Sequence, residues 1–107
     1  MHPLLLPIAK AFAKDKTVVA KTMFSSIALT VGGKIFAMVD ARDRFVVKLP
    51  AARVASLISS GAEPWGPGTG RVMKEWVALP TATKKSWIAL AKEARDFVGG
   101  ATRKPRR

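Results

Sequence analysis

Residues 32–50 constrain the fold more than any other stretch. Gly32-Gly33 precedes Lys34-Ile35-Phe36-Ala37-Met38-Val39, a polar turn follows at Asp40 to Asp43, and Arg44-Phe45-Val46-Val47-Lys48-Leu49-Pro50 completes the run. This is the pattern of two strands joined by a short loop. The first is apolar on both alternating faces, with Ile35, Ala37 and Val39 on one and Phe36 and Met38 on the other, as expected of a strand covered on both sides. In the second, Phe45, Val47 and Leu49 point one way and Arg44, Val46 and Lys48 the other.

The flanking chain extends this hairpin. Ile27, Leu29 and Val31 share a face of a strand that runs straight into the paired glycines, a tight-turn signal. Three strands in an antiparallel meander follow. Residues 71–79 read as a fourth strand, with Met73, Val77 and Leu79 toward the core and Lys74 on the side of Trp76. Three helical patterns supply the cover. Leu5, Ile8, Ala9 and Phe12 recur at helical spacing within 3–15, where Pro7 is awkward unless the helix begins there. Pro50 opens a helix over 51–60, closed by Gly61. Thr81 or Thr83 caps a last helix over 84–98, whose stripe is Trp87, Leu90, Ala91, Ala94, Phe97 and Val98, stopped by Gly99-Gly100. Residues 16–21 read as connecting chain with some strand character, and 62–70 as a proline- and glycine-rich loop around Trp65. The expected fold is α+β: an antiparallel sheet of about four strands with three helices packed on it, forming one domain over 1–100 with a basic tail over 101–107.

The 107 residues carry a formal charge of +12, of which Arg103, Lys104, Arg106 and Arg107 supply four. Most of the excess therefore sits on the folded body. Such a charge favours polyanions, DNA or RNA, and it equally serves solubility; charge alone does not choose between them. The chain has no cysteine, which removes a disulfide frame, a cysteine-ligated metal and a thiol nucleophile. No apolar run approaches the ~18 residues of a membrane span, and the N-terminal run lacks a preceding basic residue, so a cytoplasmic protein without a membrane role is expected.

Catalysis finds little support. His2 is the single histidine and sits at a terminus. Asp40 and Asp43 belong to a turn, where aspartate bonds the local backbone. Glu93 and Asp96, alternating with Lys92 and Arg95, look like a solvated helix face. Ser25-Ser26 has no neighbouring base. The loop Gly66-Pro67-Gly68-Thr69-Gly70 lacks the Gly-Lys-Ser/Thr and following helix of a phosphate cradle. No catalytic residue, metal or cofactor is expected. Phe12, Phe24, Phe45, Trp87 and Phe97 fall on core positions. Trp65 and Trp76 are assigned to neither core nor surface.

As a set, Met23-Phe24, the turn glycines before Lys34-Ile35-Phe36-Ala37-Met38, Val46-Val47-Lys48-Leu49-Pro50, Arg53-Val54, Pro67-Gly68, Gly70-Arg71, Met73-Lys74-Glu75-Trp76-Val77, Trp87, Glu93-Ala94 and Phe97-Val98 resemble the TfoX/Sxy N-terminal-domain family. The related MmcQ/YjbR-like proteins share part of the pattern. The resemblance implies a small α+β domain. Larger members include competence regulators that act with a DNA-bound transcription factor, and YjbR-like members have been described as DNA-binding on structural grounds. Here Ser25-Ser26 stands where a glycine pair is usual, and nothing matches the family's C-terminal domain, so a short stand-alone member is expected.

Two roles follow as expectations. In the first, a non-enzymatic regulatory or nucleic-acid-associated protein contacts phosphates through Arg44, Lys48, Arg71, Lys74, Lys84 and Lys85, with Arg103, Lys104, Arg106 and Arg107 adding attraction and Trp76 stacking on a base. The simpler account of that sheet face is a covering helix with lysine stems draped over it. In the second role, the chain is a protein-interaction module or homodimer that uses sheet edges or an apolar patch at Trp65.

Overall fold

Alternating apolar residues and the paired glycines produce a longer sheet than the sequence suggests. A computed structural model describes residues 3–23, 26–40, 42–66 and 73–100. The elements run α1 (Leu6–Ala11), β1 (Val18–Met23), β2 (Ser26–Val31), β3 (Lys34–Val39), β4 (Phe45–Lys48), α2 (Ala51–Ser59), β5 (Glu63–Pro64), β6 (Trp76–Leu79), a 3-10 helix (Thr81–Ser86) and α3 (Trp87–Gly100). The six strands lie in the order β1-β2-β3-β4-β6-β5, every pair antiparallel. The α+β architecture with three helices is as expected; the two additional strands are β1, from the stretch read as connecting chain, and the two-residue β5. The last strand is shorter than expected. Lys74 and Glu75 form a turn before it, closed by the Trp76 N–H on the Met73 carbonyl at 3.1 Å, and Met73 is exposed rather than in the core.

The β2–β3 corner holds because Gly32 and Gly33 both have positive φ, 61° and 81°, which matches the right-handed strand twist. Across the 40–44 turn, one carboxylate oxygen of Asp40 accepts the backbone N–H groups of Arg42 and Arg44, each at 2.9 Å. Asp43 takes the left-handed conformation there, with φ 61°.

Register explains the core. Leu29, Ala37, Val47 and Val77 lie opposite one another across β2, β3, β4 and β6, as do Val39, Phe45 and Leu79 across the last three. All join one buried cluster. Strict alternation fails at one position. Leu29 pairs with Ala37 and Thr30 with Ile35, so Phe36 is the extra residue of a bulge. Instead of sharing a face with Met38, Phe36 enters the same cluster as Ala37 and meets Phe12 edge-on at 5.4 Å.

The buried side chains of all three helices join that cluster from one side: Ile8 of α1, Val54 of α2, and Trp87, Leu90, Ala91, Ala94 and Val98 of α3. Trp87 stacks on Phe45 with ring centroids 5.0 Å apart. Its indole N–H donates to the Thr83 hydroxyl at 3.1 Å, and that hydroxyl donates to the Pro80 carbonyl at 2.7 Å. Neither Thr81 nor Thr83 caps a helix through its side chain. Gly99-Gly100 does not stop α3 either. The helix runs through Gly100, and Gly99 lets it approach β2: a Cβ there would sit 3.0 Å from Val31 Cγ2. Phe97 is half-buried, and Phe24 lies outside the described residues.

The opposite sheet face carries Ala28, Met38, Val46 and Ala78 in one cross-strand row and Lys48 opposite Trp76 in the next. No described helix places its buried residues here, which departs from both the helix-covered face and the doubly covered β3 read from the sequence. Ala28, Val46 and Ala78 are nonetheless buried. They are short side chains set between the half-buried Met38, Arg44, Lys48 and Trp76.

Candidate nucleic-acid interface

The carboxylates decide which cations remain available. Arg44 is held by Asp40, at 2.8 Å, and by Glu63. Burial pulls its guanidinium pKa down, but the hydrogen bonds from these carboxylates outweigh that and raise it. Lys48 lies 3.9 Å from Glu75. Arg53 of α2 makes two hydrogen bonds to Glu93 of α3, at 2.9 and 3.1 Å, which raise its pKa against a smaller desolvation effect. Arg95 reaches Asp15 at 2.8 Å and Asp96 at 3.2 Å. The helix face read as solvated is exposed at Lys92, Glu93 and Asp96, and it also carries two ties to other elements, at Glu93 and Arg95. Among the described residues, no cluster of three or more His, Cys, Asp or Glu side chains is placed to hold a metal ion.

The candidate phosphate-binding residues divide between the two sides of the molecule. On the outer sheet face, Lys48 lies opposite Trp76. Extending the β5–β6 register by one step sets Trp65 opposite Trp76, and their rings stand 5.6 Å apart at 51°. Both tryptophans are half-buried. Lys74 is exposed in the turn before β6 and stands apart from the outer sheet face, lining a shallow depression between that turn and α2 with Ala55, Ile58, Met73 and Trp76. Arg44 lies on this side but is engaged by its two carboxylates.

On the helical side, Lys84 and Lys85 flank a groove of about 390 Å³ between α1 and α3, lined by Pro7, Ile8, Trp87 and Ile88. The seam continues into a second groove of about 400 Å³, where Lys14 and Lys92 stand beside Ala11 and Phe12 and beside Arg95 with its partners Asp15 and Asp96. Among the described residues, Lys14, Lys84, Lys85 and Lys92 have no carboxylate within 4 Å. Lys85, Ile88 and Lys92 are spaced so that they follow one helix stripe, roughly 11 Å long at 1.5 Å per residue. Lys14 and Lys92 were not among the sequence candidates. Their helical spacing was visible; that α1 docks beside α3 was not. Arg71, Arg103, Lys104, Arg106 and Arg107 lie outside the described residues.

No described helix is long and apolar enough to cross a membrane. None of the curated proteins compared with the chain matches it. The family model for the TfoX N-terminal domain matches residues 10–98, a span that runs from α1 to the last turn of α3 and takes in the whole sheet. The chain therefore belongs to the TfoX N-terminal domain family.

Proposed function

We propose that this TfoX N-terminal domain is a non-catalytic, nucleic-acid-associating module that docks the phosphate backbone along the α1–α3 seam. The observation that carries this reading is the row of Lys14, Lys84, Lys85 and Lys92, four exposed cations with no carboxylate within reach among the described residues. Arg44, Lys48, Arg53 and Arg95 are engaged by carboxylates, and the Asp15 and Asp96 that share the second groove are held by Arg95, so the four lysines add uncompensated positive charge along one seam. Ammonium groups on flexible stems suit sequence-independent phosphate contact, and each phosphate neutralised releases a counterion.

Fluorescence anisotropy with a labelled duplex and the matching single strand, at about 50 and 200 mM salt, tests this. Four phosphate contacts predict a slope of log K against log salt near −3.6 for duplex, from about −0.9 per contact. Replacing Lys84, Lys85 and Lys92 together by Glu should flatten the slope by about 3, whatever the C-terminal arginines contribute to both proteins. No binding at the lower salt, or an unchanged slope in the triple variant, would overturn the reading.

A further inference from the structure

The two edges of the sheet are unlike. β5 is two residues long and contains Pro64, which blunts it. β1 is six residues long, contains neither proline nor glycine, and pairs with β2 alone among the described residues. Val19 is 49% exposed, and Ala20, Lys21 and Thr22 are exposed too. α3 lies chiefly over β2, β3 and β4, and of β1 Val18 packs against the core cluster while residues 19–22 are exposed.

We propose that two copies of this chain join through the free edges of β1, antiparallel, about a two-fold axis at Ala20. The Thr30 hydroxyl donates to the Val19 carbonyl at 2.8 Å, so that carbonyl faces β2. Backbone polar groups alternate along a strand, so Ala20 and Thr22 turn their N–H and C=O groups, and Val18 its carbonyl, to the open edge, while the Val18 N–H bonds the Asp15 carbonyl. A two-fold axis normal to the sheet keeps each face on its own side, so only residues of the same face meet. Centred on Ala20, the pairing sets Ala20 against Ala20 of the partner subunit and Val18 against Thr22 of the partner subunit. It forms roughly four inter-strand hydrogen bonds, because the Val18 N–H is already donated to the Asp15 carbonyl at 3.2 Å. Exposed Val19 then lies opposite Lys21 of the partner subunit, whose aliphatic stem covers it. A centre at Val19 forfeits one hydrogen-bonded pair, and a centre at Lys21 opposes two like charges. The interface is small beside the ~1,200 Å² of stable complexes, so the association is weak and concentration-dependent. It is independent of the lysine seam, and salt acts on it in the opposite sense. With +12 on each chain, screening tightens the dimer while weakening nucleic-acid binding.

Sedimentation velocity without nucleic acid, from about 10 µM to 1 mM protein at about 50 and 500 mM salt, should show the mass doubling with concentration, at lower protein in the higher salt. The chain has no cysteine, so single-cysteine variants report the register. In A20C the paired Cα atoms stand about 5.5 Å apart, and dissolved oxygen takes two electrons and two protons from the thiols to give a disulfide-linked dimer. In V19C and K21C the symmetry-related positions are roughly 8 Å apart and stay unlinked. A monomer at every concentration and salt, or faster cross-linking in V19C or K21C than in A20C, would overturn the proposal.

Discussion

At the scale of single residues, Thr83 shows how a surface-looking position supports the core. Its hydroxyl ties the 3-10 helix back to Pro80 and accepts the indole N–H of Trp87, a ring only 2% exposed and stacked on Phe45. Thr83→Val keeps the shape and removes the acceptor. An unsatisfied buried donor costs about 1–2 kcal/mol, which in a domain this small lowers Tm by about 5–10 °C. Thr83→Ser should restore most of the loss in the same melt; equal melting of wild type and Thr83→Val would contradict the account. Phe36 makes a different point. Its burial depends on a bulge in the pairing with β2, which a period-two pattern cannot reveal, because the apolar sequence reads equally well with the ring on either face.

At the scale of elements, what joins α1 to α3 is polar as well as apolar. The Asp15 carboxylate, after α1, accepts the hydroxyl and backbone N–H of Thr17 and a hydrogen bond from Arg95 of α3. The Thr17 bonds, aided by Arg95, hold its pKa below the ordinary 3.8. A depressed carboxylate stabilises the fold above its unfolded pKa and loses that contribution as pH falls through the folded one. Asp15→Asn should therefore melt lower than wild type by a constant margin from about pH 5 to 8, with the gap closing below about pH 4. A gap that ignores pH across thermal melts from about pH 2 to 7 would contradict this. The elements themselves were largely legible. Gly32-Gly33, Pro50 and the Trp87-to-Val98 stripe carry local signals of turn, helix start and buried face. What was not legible depends on distant chain. β1 is a strand because it pairs with β2, although Lys21 and Thr22 give it little apolar alternation. The Arg53–Glu93 and Arg95–Asp15 ties link residues far apart in sequence. For the same reason only half of the lysine seam could be read in advance: Lys84 and Lys85 lie together in sequence, while Lys14 reaches them only through the docking of α1.

At the scale of the whole molecule, the sheet separates two surfaces with different chemistry. One is the helical side, where exposed lysines line two adjoining grooves. The other is the outer sheet face, where Trp65, Trp76 and Lys48 meet beside an arginine already neutralised by Asp40 and Glu63. A net charge of +12 favours polyanions without selecting one; the proposed docking surface is the lysine seam. Residue-resolved NMR during titration with a short duplex reads this most directly. Amide shifts confined to residues 10–14 and 84–92, fading as salt is raised, are the predicted result. Shifts centred on Lys48, Trp65 and Trp76, with the helical seam unmoved, would contradict it.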